Sequence, residues 1–259
     1  MKRMVRFFAS LIMITYCNSV FAVSVNIQEP DFYPSAGQNT RSLSVVNDGD
    51  EPYAGELTYV LRTHDINGKE IHTQSNNFSI FPERFVVPPG EEVAVTLTWK
   101  GGEPVPQEQA YRIILKEKKA KVYTEDTKAA QKAKRSRFGF AVFTEYHKSV
   151  FVHPQHEKPA LEMSAVEPVV SAGINKLKLT LVNFGNAKQV MKDATLTVYR
   201  VNEKGEKVKG MSSDLAPSEL KGAILVLPKE TRVFYLPWPK ELTVGPLKGT
   251  FTFEKTEDL

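Results

Sequence analysis

The sequence predicts an all-β protein built from two β-sandwiches, and three observations carry that prediction. Short segments alternate polar and apolar residues, as half-buried strands do. Turn signals rich in Asn, Asp, Gly and Pro separate those segments at nearly regular spacing. Only Thr127 to Arg137 carries much helix propensity, and it lacks the apolar stripe a helix needs to bury, so it reads as a solvated loop.

Taken in order, Ser42–Asn47 alternates and ends in the turn Asn47-Asp48-Gly49-Asp50. Glu56–Leu61 is the next strand and turns at Asn67-Gly68. Phe78–Pro82 and Phe85–Val87 follow, then Pro88-Pro89-Gly90 redirects the chain into Glu92–Trp99. A loop containing Gly101, Gly102, Pro104 and Pro106 leads to Tyr111–Leu115. Beyond a charged stretch, a long alternating segment runs from Phe138 to Val152. Two prolines and polar residues between His153 and Pro159 interrupt the pattern and mark a boundary. Strands then resume at Lys176–Val182, Ala194–Tyr199, Gly222–Pro228, Thr231–Leu236 and Gly249–Phe253. Two sets of short strands at this spacing point to sandwiches rather than to an α/β enzyme.

The N-terminus reads as an export signal. Basic Lys2, Arg3 and Arg6 precede a short apolar run from Phe7 to Ile14, and a cleavage point follows Ala22. The run falls short of the ~20 apolar residues a membrane-spanning helix requires, so no integral membrane segment is expected in the mature chain. The expected organisation is a signal peptide at 1–22, a first domain at 23–153 and a second at 154–259. The sole cysteine, Cys17, lies in the signal segment, so no disulfide staples the mature chain. Lys2, Arg3 and Arg6 also account for three of the four net positive charges. The near-neutral remainder argues against a nucleic-acid binder, which needs a basic stripe. Lys116–Arg137 is the local exception, with nine Lys or Arg against three acidic residues.

Catalytic chemistry has no visible carrier. Gly101-Gly102 does not precede a helix, so it cannot form a phosphate-cradling loop. No serine sits in a glycine-flanked elbow, and no cysteine survives as a nucleophile. Among the five histidines, His153 and His156 are three apart beside Pro154, but no cysteine or close carboxylate spacing completes a metal set. The chain is therefore expected to be no enzyme and to hold no metal or cofactor.

Several fragments, in this order, carry a family resemblance. They are Ser44–Pro52, Phe81–Gly90, Glu108–Leu115, Leu181–Asn186 and Val226–Pro228 with Phe234–Pro237 after it. Across about 220 residues behind a signal segment, the sequence resembles the periplasmic pilus (fimbrial) assembly chaperones of the chaperone–usher pathway, particularly their divergent archaic or alternative branch. The resemblance implies two immunoglobulin-like β-sandwich domains set at an angle with a cleft between them, the first carrying a long F–G hairpin. It implies a periplasmic location, and pilus or fimbrial subunits and an outer-membrane usher as partners. Self-association of the free chain stays open, as does the alternative of an exported structural or adhesive pilus component.

The implied mechanism is donor-strand complementation, in which the chaperone lends its G strand to a subunit lacking one. A free sheet edge needs backbone partners and an open core needs an apolar side chain at every second residue. Phe138, Phe140, Val142 and Thr144 share one parity and are the residues expected to enter the subunit. Gly139, Ala141 and Phe143 would then face the chaperone's own sheet. The family also anchors the subunit's terminal carboxylate with two basic residues. Lys148 is the expected G-strand anchor, although counting back from Pro154 places that position on Ser149. Val23 to Thr40 contains no Lys or Arg, a departure from the first-strand anchor that the resemblance implies, so either the anchoring differs in this branch or Arg112 or Arg41 reaches the site from elsewhere. Finally, the resemblance implies a carboxylate at the start of the F strand that meets a basic group near the domain junction, which here selects Glu108 and His153.

Overall fold

The computed structural model describes residues 23–27, 30–118, 144–190, 194–215 and 225–253. Phe138, Phe140 and Val142 lie outside them, as do Gly139, Ala141, Phe143 and the expected signal segment.

The first half contains β1 (Val23–Ile27), β2 (Asp31–Phe32), β3 (Thr40–Asn47), β4 (Tyr53–His64), β5 (Glu70–Thr73), β6 (Phe78–Phe81), β7 (Arg84–Val87), β8 (Glu92–Trp99), β9 (Gln109–Lys118) and β10 (Glu145–Val152). One sheet runs β1-β3-β8-β6; the other runs β2-β10-β9-β4-β5, with β7 also on β4. Alternation decides which side chains are enclosed: Leu43 and Val45, Val95 and Leu97, and Tyr111, Ile113 and Leu115 all point into one core. Aromatic rings fill its centre, with Phe78 edge-on to Phe32, Tyr59, Trp99 and Tyr111 at centroid separations of 5.0 to 5.4 Å. Gly55 is required by that packing, since a Cβ there would stand 2.7 Å from the Phe85 ring of the neighbouring strand.

The second half contains β11 (Leu161–Ser171), β12 (Ile174–Asn183), β13 (Gln189–Val190), β14 (Ala194–Val201), β15 (Lys207–Leu215), β16 (Leu225–Val226), β17 (Thr231–Pro237) and β18 (Leu247–Phe253). Its sheets are β11-β12-β17 and β15-β14-β18, with a small β13-β16 pair. Leu177, Leu179 and Leu181 of β12 face Leu196 and Val198 of β14 in a second core. The β11–β12 hairpin turns on two residues of positive φ, Ala172 (52°) and Gly173 (75°), which match the right-handed twist of the strands. The architecture is all-β, two immunoglobulin-like sandwiches, as the sequence predicts.

Each sandwich closes one corner with a buried asparagine. The Asn47 amide donates to the carbonyls of Glu51 and Val87, at 2.8 and 2.9 Å, and accepts from the Gly49 N–H. Asn183 does the same, donating to Ala187 and Val226, at 2.8 and 3.0 Å, and accepting from Gly185. Both corners read Asn-x-Gly, Asn47-Asp48-Gly49 and Asn183-Phe184-Gly185.

The halves meet through two polar seams. In one, Glu230 accepts from the His64 N–H at 2.7 Å and from the Leu227 N–H at 3.1 Å, while the Val233 N–H donates to the Ile66 carbonyl at 2.7 Å. In the other, the Glu108 N–H donates to the Asn186 carbonyl at 2.7 Å, and the Lys188 ammonium lies 3.2 Å from the Glu108 carboxylate.

Candidate functional site

β10 is the strand that positions the site. It pairs along its full length with β9 on one side, from Glu145↔Lys116 to Val152↔Gln109. On the other side it meets only β2, through Phe151 and Val152. Among the described residues, the edge from Glu145 to Val150 therefore carries no neighbouring strand. Its first turn is held by Thr144, which is exposed and bonds the Glu117 carboxylate through its N–H and hydroxyl at 3.1 and 2.9 Å.

The two faces of β10 differ. Val150 and Val152 are fully buried in the first core and Tyr146 packs against it. Ser149 and Phe151 face the other way, toward a basic cluster. Register explains the grouping, because Ser149 lies opposite Arg112 on β9, which lies opposite Val60 on β4. Arg112 donates to the Ser149 hydroxyl at 2.7 Å, and Arg62 lies 3.3 Å from that same oxygen. Glu70 on β5 receives both guanidiniums: Arg112 Nε at 3.0 Å with a second, very short contact from Nη2, and Arg62 at 3.3 Å. Phe151 completes the surface, with Arg62 5.5 Å and the Lys188 ammonium 4.0 Å from its ring centroid.

The cluster is electrostatically unbalanced. One carboxylate, Glu70, faces two guanidiniums, and the Arg112 hydrogen bond holds its pKa down to about 2 despite partial burial. Burial, and then the adjacent Arg112 charge, work against the ionised form of Arg62 and lower its pKa, with Glu70 as the counterweight. Arg62 is only 4% exposed, and among the described residues its Nε and Nη2 have no hydrogen-bond partner. Two donors of this enclosed cation are thus left unpaired there.

The other anchor candidates stand elsewhere. Lys148 is exposed, opposite Ile113, on the face of β10 that Val150 and Val152 turn toward the core. It is therefore on the opposite face from Ser149 and Arg112. Arg41 on β3 donates to the Asp31 carbonyl at 2.9 Å and to Gln38 at 2.8 Å, with its guanidinium over the Phe32 ring. Arg62 was not singled out by sequence reasoning. Its signal was faint, a single arginine near the end of a strand of alternating polar and apolar residues.

The structure brings Glu108 and His153 together. His153 Nδ1 lies 3.3 Å from Glu108 and 2.8 Å from Glu157, and Nε2 lies 3.4 Å from Asp31. Tyr33 stacks on the imidazole, with centroids 4.6 Å apart. Burial works to lower the His153 pKa, but Asp31 and Glu108 outweigh it and raise the group to about 9. The same contact with His153 lowers the Asp31 pKa.

No protein-family model matches the sequence, and no curated protein matches it. Solved structures do match its fold. A chain of the CsuC–CsuE chaperone–tip adhesion subunit pre-assembly complex, from archaic chaperone–usher Csu pili of Acinetobacter baumannii, superimposes with a TM-score of 0.54 at 16% identity, covering 88% of this chain and 92% of that one. A chain of a chaperone–tip adhesin complex of CFA/I fimbriae biogenesis gives 0.55 at 10% identity, covering 90% and 99%. The class 5 fimbriae chaperone CfaA gives 0.53 at 11% identity, covering 91% and 95%. The chain thus has the fold found in pilus assembly chaperones.

Proposed function

We propose that this chain is a periplasmic chaperone that binds, folds and caps pilus subunits by donor-strand complementation and delivers them to an outer-membrane usher. One observation carries the proposal: among the described residues, β10 from Glu145 to Val150 presents an edge without a neighbouring strand, and the apolar segment Phe138–Thr144 precedes that edge in the sequence. The likeness to chaperone–subunit assemblies supports the reading.

Parity adds detail. Even-numbered Tyr146, Val150 and Val152 face inward on β10. Phe138, Phe140 and Val142 share that parity in the sequence. As a donor strand they would offer an apolar side chain at every second residue to a subunit whose own core lacks a strand. Arg112 and Arg62, beside the same strand, would hold the subunit's terminal carboxylate, with Arg62 supplying its two unpartnered donors. This reading prefers Arg112 over Lys148 and Arg41 as anchor. Glu108 and His153 would then belong to the junction between domains 23–153 and 154–259, after removal of residues 1–22. The mechanism requires neither catalysis nor a cofactor.

The test is co-expression in a bacterial periplasm with the small subunit encoded beside this gene, followed by co-purification. Wild type should yield a stable one-to-one complex, and the Phe140→Asp variant, still folded by circular dichroism, should not. Failure of the wild type to retain any neighbouring subunit would reject the chaperone role and favour an exported structural or adhesive component.

A further inference from the structure

The junction beside β10 holds a group of side chains that subunit binding does not use. Glu108, His153 and Glu157 each offer one ligand atom, and these atoms all lie within 4.8 Å of one another. Glu108 and His153 are buried, whereas Glu157 has a side chain 42% exposed and opens the group to solvent.

The hydrogen bonding of this group is incomplete. His153 is 3% exposed, and among the described residues its ring nitrogens make ion-pair contacts but no directed hydrogen bond; Glu108 Oε1 and Asp31 Oδ1 likewise lack a directed hydrogen bond. Enclosed polar atoms are ordinarily hydrogen-bonded, so this cluster has capacity for a further partner. The arrangement matches what a metal ion requires. Nδ1 is flanked by oxygens of Glu108 and Glu157 at 3.3 and 2.8 Å, while Nε2 faces Asp31 at 3.4 Å. A ligating histidine turns its second nitrogen to a carboxylate in just this way.

Charge points in the same direction. With a neutral imidazole, the three carboxylates Asp31, Glu108 and Glu157 outnumber the two cations beside them, Lys188 at Glu108 and Arg41 at Asp31, which leaves the group net negative. A bound cation is favoured there. The imidazole donor selects a borderline transition metal over calcium or magnesium, which prefer all-oxygen sets.

We propose that Glu108, His153 and Glu157 bind a divalent transition-metal ion, zinc foremost, with Asp31 orienting the imidazole. The ion takes the place of the proton on Nδ1. Lys188 competes for the Glu108 carboxylate, so the site is weaker than a closed four-ligand structural zinc site. Because the Glu108 N–H is bonded to the Asn186 carbonyl, an ion held there pins one of the two seams between the sandwiches. The proposal is independent of the pilus reading.

The experiment uses untagged mature protein, stripped with chelator and titrated with zinc chloride by calorimetry, with thermal unfolding in parallel. Wild type should bind one zinc per chain and melt at a higher temperature with zinc than without. Glu157→Gln, compared with its own metal-free melting temperature, should weaken zinc at least about tenfold and abolish the zinc-induced shift. His147→Gln, at the exposed pair His147–Glu145, should bind zinc as wild type does. No stoichiometric uptake by wild type would overturn the site. So would equal affinity in the Glu157→Gln variant, or a loss confined to His147→Gln.

Discussion

Arg112 and Ser149 face each other across β9 and β10, the guanidinium donating to the hydroxyl at 2.7 Å. The position on β10 that counting from Pro154 selects thus carries no charge of its own, and the cation comes from the adjacent strand. Placement on a shared face, rather than on a shared strand, gathers the basic groups.

That placement separates Arg112 from Lys148 experimentally. Arg112→Ala should weaken subunit binding by about ten- to hundredfold, the worth of a charge-assisted hydrogen bond of about 1.5–3 kcal/mol. Lys148→Ala, on the opposite face, should change it by less than about threefold. Competition binding with a labelled subunit, measured at one salt concentration, gives both numbers.

Phe140→Asp should lower subunit affinity by at least about tenfold, because burial of such a side chain contributes about 1.5–3 kcal/mol and a carboxylate forfeits it. Urea unfolding of the free protein should be nearly unchanged. A large loss of stability would instead mark Phe140 as part of the chain's own core.

Glu70 makes stability sensitive to acid. Its folded-state pKa, held to about 2 chiefly by Arg112, lies below the ordinary 4.5. The pair therefore stabilises fully above pH 4.5, and its contribution is lost as the pH falls from there toward about 2. Glu70→Gln should be less stable than wild type at pH 7 and should show a flatter decline across that window, measured as urea midpoints at pH 7, 4, 3 and 2.

The two tryptophans report the sandwiches separately, Trp99 buried in the first core and Trp238 packed against the second. Asn183→Ala leaves the Ala187 and Val226 carbonyls and the Gly185 N–H without their partner, a cost of about 1–3 kcal/mol for each group that stays buried and unpaired. Thermal melts of Trp99→Phe and Trp238→Phe backgrounds should show the Trp238 signal lost at a lower temperature and the Trp99 signal shifted less.

Strands with strict alternation were legible in the sequence. β3, β8 and β12 have one buried face and clear turn signals, so period and boundary agree. β11 and β15 were not read. β11 shifts register between Met163 and Ala165, which swaps the faces of its side chains, and it carries Pro168 on a sheet edge. β15 contains Gly210 at φ 74°, and the β14–β15 ladder shifts between Tyr199 and Val201. At the site, Glu108 and His153 followed from the resemblance. The Arg62–Arg112–Glu70 grouping depends on the registry of three strands and left no local mark. The same holds for the carboxylates around His153, since the sequence offered His156 as its companion and the fold supplied Asp31, Glu108 and Glu157.

The paired corners at Asn47 and Asn183 give the chain a form of insurance. Each sandwich fastens its own corner from within by three matching bonds, to which Asn183 adds a fourth from the Ala160 N–H at 3.3 Å, and neither asparagine side chain takes a partner from the other half. A substitution that removes the second asparagine therefore leaves the three bonds of the first corner in place, in the half that carries β10.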